Sequence, residues 1–156
     1  MLIKNEIPIL EYDNKSSEII PPSHGKEEFL PEICVFAFLG SIVDEFVKNH
    51  DGKIVDVYET VGGNYNIYVV EYKNKKICLV RSPIGAPAAT GLLDTLIAYG
   101  CKKCIACGSC GVLVELQENE FLIPVKALRG EGTSYQYLPA SRYVEIDEKM
   151  VLAIEN

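Results

Sequence analysis

Two short apolar segments that each run directly into a glycine-containing loop constrain the fold of this chain more than any other feature. Residues 77–80 lead into the loop 82–87, and residues 104–107 lead into the loop 108–111; both apolar segments predict buried strands. The segment between the loops places four apolar side chains at helical spacing: Leu92, Leu93, Leu96 and Ile97. Strand, turn, helix, strand and glycine loop follow one another in this order in α/β sheets. We therefore predict an α/β fold, in which ligands bind where such loops leave the carboxyl ends of strands.

Other patterns extend the predicted sheet. Residues 33–39 form a continuous apolar run, which is typical of a strand buried on both faces. A helical pattern follows over 42–47. Alternating side chains predict strands over 54–60 and 65–72, and a short apolar run predicts another over 121–125. Together these segments predict one central sheet flanked by helices.

The first 32 residues differ from the rest because they are polar, lack periodicity and contain four prolines: Pro8, Pro21, Pro22 and Pro31. We expect them to form an extended N-terminal arm. Residues 33–156 are then expected to form a single α/β domain, which is an ordinary size for one hydrophobic core.

The charge balance excludes several classes of function. Fifteen basic and 22 acidic residues give a net charge of −7, whereas proteins that bind nucleic acids or anionic membranes present basic surfaces. No segment approaches the roughly 18 apolar residues of a membrane span, and the first residues lack the apolar stretch of a signal peptide. We therefore expect a cytoplasmic protein that binds neither nucleic acid nor membrane. In the reducing cytosol, its six cysteines are not expected to form a disulfide framework.

The two glycine loops have two interpretations that their spacing does not separate. Glycine lets a backbone approach a ligand closely because it has no Cβ, and the Ser109 hydroxyl is able to donate to a phosphate or sugar oxygen. The alternative is that the glycines only close tight turns between strands and helices.

Four stretches of the sequence resemble the nucleoside phosphorylase family, which contains uridine phosphorylase and the bacterial purine nucleoside phosphorylases. The stretches are residues 82–87, 92–103, 107–111 and 127–139, and the resemblance as a whole extends over most of the range 33–141. The resemblance implies an α/β domain around a mixed, partly barrel-like sheet. It also implies phosphorolysis of the N-glycosidic bond of a nucleoside to a free base and ribose 1-phosphate. Phosphate would then be the co-substrate, and no organic cofactor is implied.

The resemblance also implies residue roles, without assigning a catalytic residue. Ser109 matches the residue that touches phosphate and ribose, Cys110 and Gly111 match the backbone beside the base, and Gly85 matches the glycine of the preceding loop. Two further candidates for ligand binding lie in the later loop, Arg129 and Glu131. They either orient a ligand, pair with each other or hold the loop itself.

The chain departs from the family at its phosphate site. The family's Gly-Asp-Pro-x-Arg turn corresponds to residues 38–42, which contain no arginine, and two further arginine positions correspond to Ala106 and Gly63. Losing bidentate arginine contacts removes the strongest donors of a phosphate site. Family members also continue beyond the position of Asn156, so the resemblance implies a C-terminally truncated chain with an impaired site.

The expected partners are a nucleoside or nucleobase, phosphate, and further copies of the same chain, because family members assemble as dimers or hexameric rings. The alternative is a domain that binds a nucleoside without turning it over, or that serves as an assembly partner.

A second alternative is a metal protein, because four cysteines follow one another at intervals of three: Cys101, Cys104, Cys107 and Cys110. Such a run resembles those that bind iron–sulfur clusters. However, the last interval is one residue short of the bacterial pattern and no proline follows it. Cys104 and Cys107 would also point to opposite faces of a strand. We therefore predict no metal site here and cysteines that act as small core residues.

Overall fold

The chain contains two compact units, which are defined by the contacts within each. The computed structural model describes residues 2–13, 19–117 and 119–155. The sheet unit comprises residues 18–110, and the loop unit comprises residues 1–17 and 111–156. The boundary between an arm and a domain at residues 32 and 33 stays a prediction.

Nine strands and three helices are present in the described residues. The strands are β1 (Leu2–Ile3), β2 (Tyr12–Asp13), β3 (Ile33–Phe38), β4 (Lys53–Thr60), β5 (Gly63–Tyr72), β6 (Lys75–Arg81), β7 (Lys103–Gly108), β8 (Lys126–Leu128) and β9 (Tyr143–Glu145). The helices are α1 (Ile42–Asn49), α2 (Ala86–Ala98) and α3 (Glu148–Glu155). None of the described helices has the length and apolar character that a bilayer crossing requires.

The sheet unit is built on one mixed sheet of five strands in the order β4-β5-β6-β3-β7. β3 runs parallel to both of its neighbours, β6 and β7, whereas β4, β5 and β6 pair antiparallel. The tight β5–β6 hairpin turns through Lys73 and Asn74, both of which have positive φ angles, as this hairpin type requires. The expected α/β fold with a mixed sheet is confirmed.

The central strands of this sheet are covered on both faces. One buried cluster includes Phe36 and Val80 and contains the inner residues of α2, Leu92 and Leu96. The other includes Ala37 and Leu79 of the same strands and contains Val43 and Val47 of α1. Side chains that follow one another along a strand point to opposite faces, so α1 and α2 lie on opposite sides of the sheet.

Helix α2 is bounded as its sequence predicts, but its apolar stripe is narrower than predicted. Gly100, with φ +116°, ends the helix, as glycine commonly does just beyond the last turn. Leu92 and Leu96 are fully buried, whereas Ile97 is 55% exposed. Ile97 was wrongly placed on the buried stripe because it directly follows Leu96, and a residue one position further along is rotated about 100° around a helix.

Two strand predictions need correction. β7 was expected to be buried, but most of its residues are exposed because it lies at the edge of the sheet and has one neighbouring strand. The strand predicted over 121–125 is absent, and the adjacent β8 pairs with β9 instead. Pro124 has no N–H group to donate to a sheet ladder.

The loop unit is held by short elements. β1 pairs with β2, β8 pairs with β9, and two 3-10 turns cover Pro8–Leu10 and Ser134–Gln136. Residues 2–13 therefore form a small hairpin-like segment rather than a plain extended arm.

Candidate functional site

Three loops of the sheet unit leave the sheet at the carboxyl ends of its parallel strands. They follow β3 (39–41), β6 (82–85) and β7 (109–110). In the strand register, Ala37 of β3 pairs with Arg81 of β6, and Phe38 pairs with Gly108 of β7, so the three strands end level with one another. Adjacent strands lie about 4.8 Å apart, and the three loops therefore meet along one edge, which we call the carboxyl edge.

The loop after β6 places the start of a helix at this edge. The Ser82 N–H donates to the Ala37 carbonyl at 2.8 Å, which joins the loop to β3. Gly85 precedes α2 with φ +103°, and a Cβ built there meets no atom within 4 Å. The first intrahelical hydrogen bond runs from Ala89 N–H to the Gly85 carbonyl. The N–H groups of the first helical turn have no intrahelical acceptor, and together with the helix dipole they favour an anion.

The other two loops are also open. Gly40 has φ +56°, and an added Cβ there has no neighbour within 4 Å. Ser109 and Cys110 are both exposed just beyond β7. The carboxyl edge therefore offers backbone N–H groups and a serine hydroxyl around unfilled space.

A close backbone contact fixes the end of β7. A Cβ added to Gly108 would lie 2.9 Å from the Phe38 Cβ and 3.5 Å from the Phe38 carbonyl oxygen. Glycine at this position lets β7 pack tightly against the end of β3, directly before Ser109.

The predicted ligand residues fall into two groups. Gly85, Ser109 and Cys110 lie on the loops of the carboxyl edge, so the structure places these three on the same edge of the sheet. Gly111 begins the second segment of the loop unit, where an added Cβ would have open space around it. Arg129 and Glu131 also belong to the loop unit. Ligand contacts by any of the six residues stay predictions.

Arg129 organises the loop that follows it. Its guanidinium is buried and donates four hydrogen bonds to four acceptors: Ser134 Oγ at 2.9 Å, Pro139 O at 2.6 Å, Ser141 Oγ at 2.7 Å and Leu138 O at 3.1 Å. The guanidinium carbon also lies 4.3 Å from the centroid of the Tyr135 ring, at a distance typical of cation–π contacts. These contacts give Arg129 a structural role in the loop.

Glu131 stabilises the 3-10 turn of the same loop. Its carboxylate accepts hydrogen bonds from the Thr133 N–H at 2.7 Å and the Ser134 N–H at 3.1 Å. The hydrogen bond from the Ser134 side chain, followed by these backbone bonds, lowers the pKa of the Glu131 carboxyl. Within the described residues, no ion pair joins Glu131 to Arg129.

Arg81 lies at the carboxyl edge but was not among the predicted ligand residues. It is the last residue of β6 and is exposed. Among the last residues of β3, β6 and β7 and the three described loops that follow them, it is the one Lys or Arg. The sequence feature that indicates a role for Arg81 is its place at the end of the apolar run 77–80, directly before a predicted ligand loop.

The structure does not bring together the four cysteines of the run from 101 to 110. Cys107 packs against the cluster on the α1 side of the sheet, whereas Cys101 is buried in the cluster on the α2 side. Cys110 is exposed beyond the end of β7. Cys104 and Cys107 pair with Cys34 and Ala37 of β3, which belong to the clusters on opposite faces of the sheet, so the two cysteines point to opposite faces as predicted. Cys101 instead lies beside Cys34 and Cys78, with the three Sγ atoms within 4.8 Å of one another.

Two cavities lie elsewhere in the sheet unit. The smaller, about 260 Å³, is lined by Lys26, Asp56 and Tyr99 among others. Burial raises the pKa of the Asp56 carboxyl, but the Lys26 ammonium, which forms an ion pair with it, outweighs this and the net pKa is lowered. The larger cavity, about 850 Å³, includes His50, Asp51 and Lys76. Neither cavity is lined by a residue of the carboxyl edge loops.

Comparison with known proteins identifies the class of fold. A family model described as the phosphorylase superfamily matches residues 32–156. A solved structure of uridine phosphorylase from Vibrio fischeri, complexed with 6-hydroxy-1-naphthoic acid, is similar, with a TM-score of 0.69 and 20% sequence identity over 81% of this chain. Purine nucleoside phosphorylase from Toxoplasma gondii, in complex with immucillin-H, matches 62% of this chain with 19% identity and a TM-score of 0.48. No curated protein matches the chain.

The mixed sheet with glycine loops at its carboxyl edge is therefore a phosphorylase-type α/β fold. The chain belongs to the phosphorylase superfamily. It spans 51% of the length of the uridine phosphorylase chain and 38% of that of the purine nucleoside phosphorylase chain.

Proposed function

We propose that this chain binds a nucleoside and phosphate at the carboxyl edge, as part of a site that splits the N-glycosidic bond to a free base and ribose 1-phosphate. Membership of the phosphorylase superfamily supports the reaction class. The observation that carries the proposal is the open carboxyl edge, where Gly85 and Gly40 leave space for a ligand beside the exposed Ser109.

The polar and charged groups at the carboxyl edge are able to stabilise the charges that develop during glycosidic cleavage. The transition state of glycosidic cleavage has oxocarbenium character, so an anion beneath the sugar stabilises it. The first turn of α2 attracts that anion, and Arg81 supplies a cation at the same edge. Ser109 contributes a hydroxyl for phosphate or ribose, and the backbone at Cys110 lies beside the base.

The second candidate function is nucleoside binding without turnover. One observation favours it: the start of α1 and the body of β7 carry Ile42 and Ala106, rather than arginine, at positions where the family resemblance implies phosphate contacts. Incubation with uridine, inosine or adenosine plus phosphate distinguishes the two functions. Release of free base supports phosphorolysis, whereas a nucleoside-dependent thermal shift without free base supports binding alone. Neither free base nor a shift with any of the three nucleosides would contradict both.

Replacing Ser109 by alanine is expected to weaken nucleoside or phosphate binding about fivefold while leaving the stability of the protein unchanged, because a single hydrogen bond contributes roughly 1 kcal/mol and Ser109 is exposed. Isothermal titration measures the affinity and urea unfolding the stability. Ser23→Ala is the matched control, since Ser23 belongs to the sheet unit but lies outside the carboxyl edge loops. Equal affinities of the Ser109→Ala and Ser23→Ala variants would exclude Ser109 from the site.

Self-association is part of the proposed function, because members of the nucleoside phosphorylase family assemble into dimers or rings. Light scattering at micromolar concentrations is expected to give at least the mass of a dimer. A monomer mass throughout that range would contradict this part of the proposal.

A further inference from the structure

Three cysteines occupy one row across the parallel part of the sheet. In the strand register, Cys34 of β3 pairs with Cys78 of β6 on one side and with Cys104 of β7 on the other. Paired residues of parallel strands point to the same face, so these three side chains lie on one face of the sheet. Cys101, two residues before β7, joins them from the turn that follows α2.

The sulfur atoms of three of these cysteines converge in the core. The Sγ atoms of Cys34, Cys78 and Cys101 all lie within 4.8 Å of one another, and all three residues are buried. In a tetrahedral zinc site with Zn–S bonds of about 2.3 Å, the sulfurs lie roughly 3.8 Å apart. We call these three residues the thiol cluster. Side-chain adjustments of about 1 Å would bring the thiol cluster to the dimensions of a filled zinc site.

One thiol of the thiol cluster has a backbone acceptor for its proton. The Cys101 Sγ lies 3.4 Å from the Pro31 carbonyl oxygen, to which the thiol donates when it carries a proton. The thiolate is the form of cysteine that binds metals.

Cys104 lies at the end of the same row of cysteines, next to the three converging sulfurs of Cys34, Cys78 and Cys101, and is the candidate for a fourth ligand. Its side chain is exposed at the edge strand β7, next to Cys34 in the register. Four cysteine ligands in a closed arrangement are typical of structural zinc sites.

We propose that Cys34, Cys78 and Cys101 bind one zinc ion, with Cys104 as the fourth ligand. Each thiol that binds the ion releases its proton to solvent, and no electron transfer is involved. The bound ion would join β6, β3 and the turn before β7, which are brought together only in the folded chain. Zinc should therefore bind the folded state preferentially and stabilise it.

Titration of the reduced protein with zinc against a chromophoric chelator is the primary test. We expect one zinc ion per chain and a melting temperature that rises with the zinc concentration. Failure of the reduced wild-type protein to bind zinc would overturn the proposal, and so would a disulfide within the thiol cluster formed in place of zinc binding. This measurement uses the unaltered chain and does not depend on whether a core variant folds.

Substitutions then locate the ion. Cys101→Ala is expected to weaken zinc binding by more than about 100-fold, because even the loss of outer-shell contacts costs 10–100-fold. Cys107→Ala and Cys110→Ala are the matched controls, and each should retain one zinc ion per chain. Zinc binding that survives Cys101→Ala, or that is lost in either control, would contradict the assigned ligands. Circular dichroism establishes that each variant is folded.

Protection from alkylation provides a second readout. Zinc is expected to slow the alkylation of Cys104 while leaving the rate at the exposed Cys110 unchanged. Equal protection of Cys104 and Cys110 would show a nonspecific effect of zinc and overturn the role of Cys104.

Discussion

Replacement of Arg129 by alanine is expected to destabilise the loop unit by about 3 kcal/mol, since a hydrogen bond to a charged group contributes roughly 1.5–3 kcal/mol net of the exchange with water and the four bonds share one guanidinium. The side chain is buried and donates to four acceptors between residues 134 and 141. Limited proteolysis should detect the change as faster cleavage within 134–141, and chemical unfolding should give a lower midpoint.

Two substitutions serve as references for Arg129→Ala. Arg129→Lys retains the charge but not the planar arrangement of donors, so it should recover only a minor part of the lost stability. Arg142→Ala removes an exposed arginine that contacts the neighbouring Tyr143, and it should change stability by no more than about 0.5 kcal/mol. If Arg129→Ala resisted proteolysis as well as Arg142→Ala, the structural role of Arg129 would be disproved.

Leu96→Ala is expected to lower the stability of the sheet unit by about 2–5 kcal/mol, because it removes buried methyl groups and leaves a cavity. Leu96 is fully buried on the inner face of α2, in the cluster that also contains Cys34 and Cys78. Urea unfolding followed by circular dichroism measures the loss.

The adjacent residue of the same helix supplies the control. Ile97 has the same number of carbon atoms as Leu96 but is 55% exposed, so Ile97→Ala should cost about 0.5 kcal/mol or less. Similar losses at both positions would mean that α2 packs on the sheet through a different face from the one described.

Much of the sheet unit was predictable because the sequence patterns of its strands and helices involve residues that are close together in the sequence. The continuous apolar run of β3, the alternation of β4 and β5, and Gly100 at the end of α2 each follow from neighbouring residues. The exposure of Ile97 and of β7 was not predictable in this way. Both depend on which element packs alongside, and sequence spacing does not encode that.

The candidate site was predictable to a similar degree. Gly85 and Ser109 were expected at strand ends, and the strand register places both on one edge. Arg129 was singled out, but its four acceptors depend on how the following loop folds back. The thiol cluster was not predictable, because Cys34, Cys78 and Cys101 are far apart in the sequence. The order of the strands in the sheet brings them together.

At the carboxyl edge, the close packing of Gly108 against Phe38 sets the position of the backbone, whereas the residues after Gly108 supply the side-chain groups. Any side chain at position 108 would push the ends of two strands apart and carry the Ser109 hydroxyl with them. The exposed residues at 109 and 110 have no such constraint. If the proposed ligand binds at this edge, substitutions at positions 109 and 110 are expected to change ligand preference without moving the backbone, because Gly108 sets the position of the backbone.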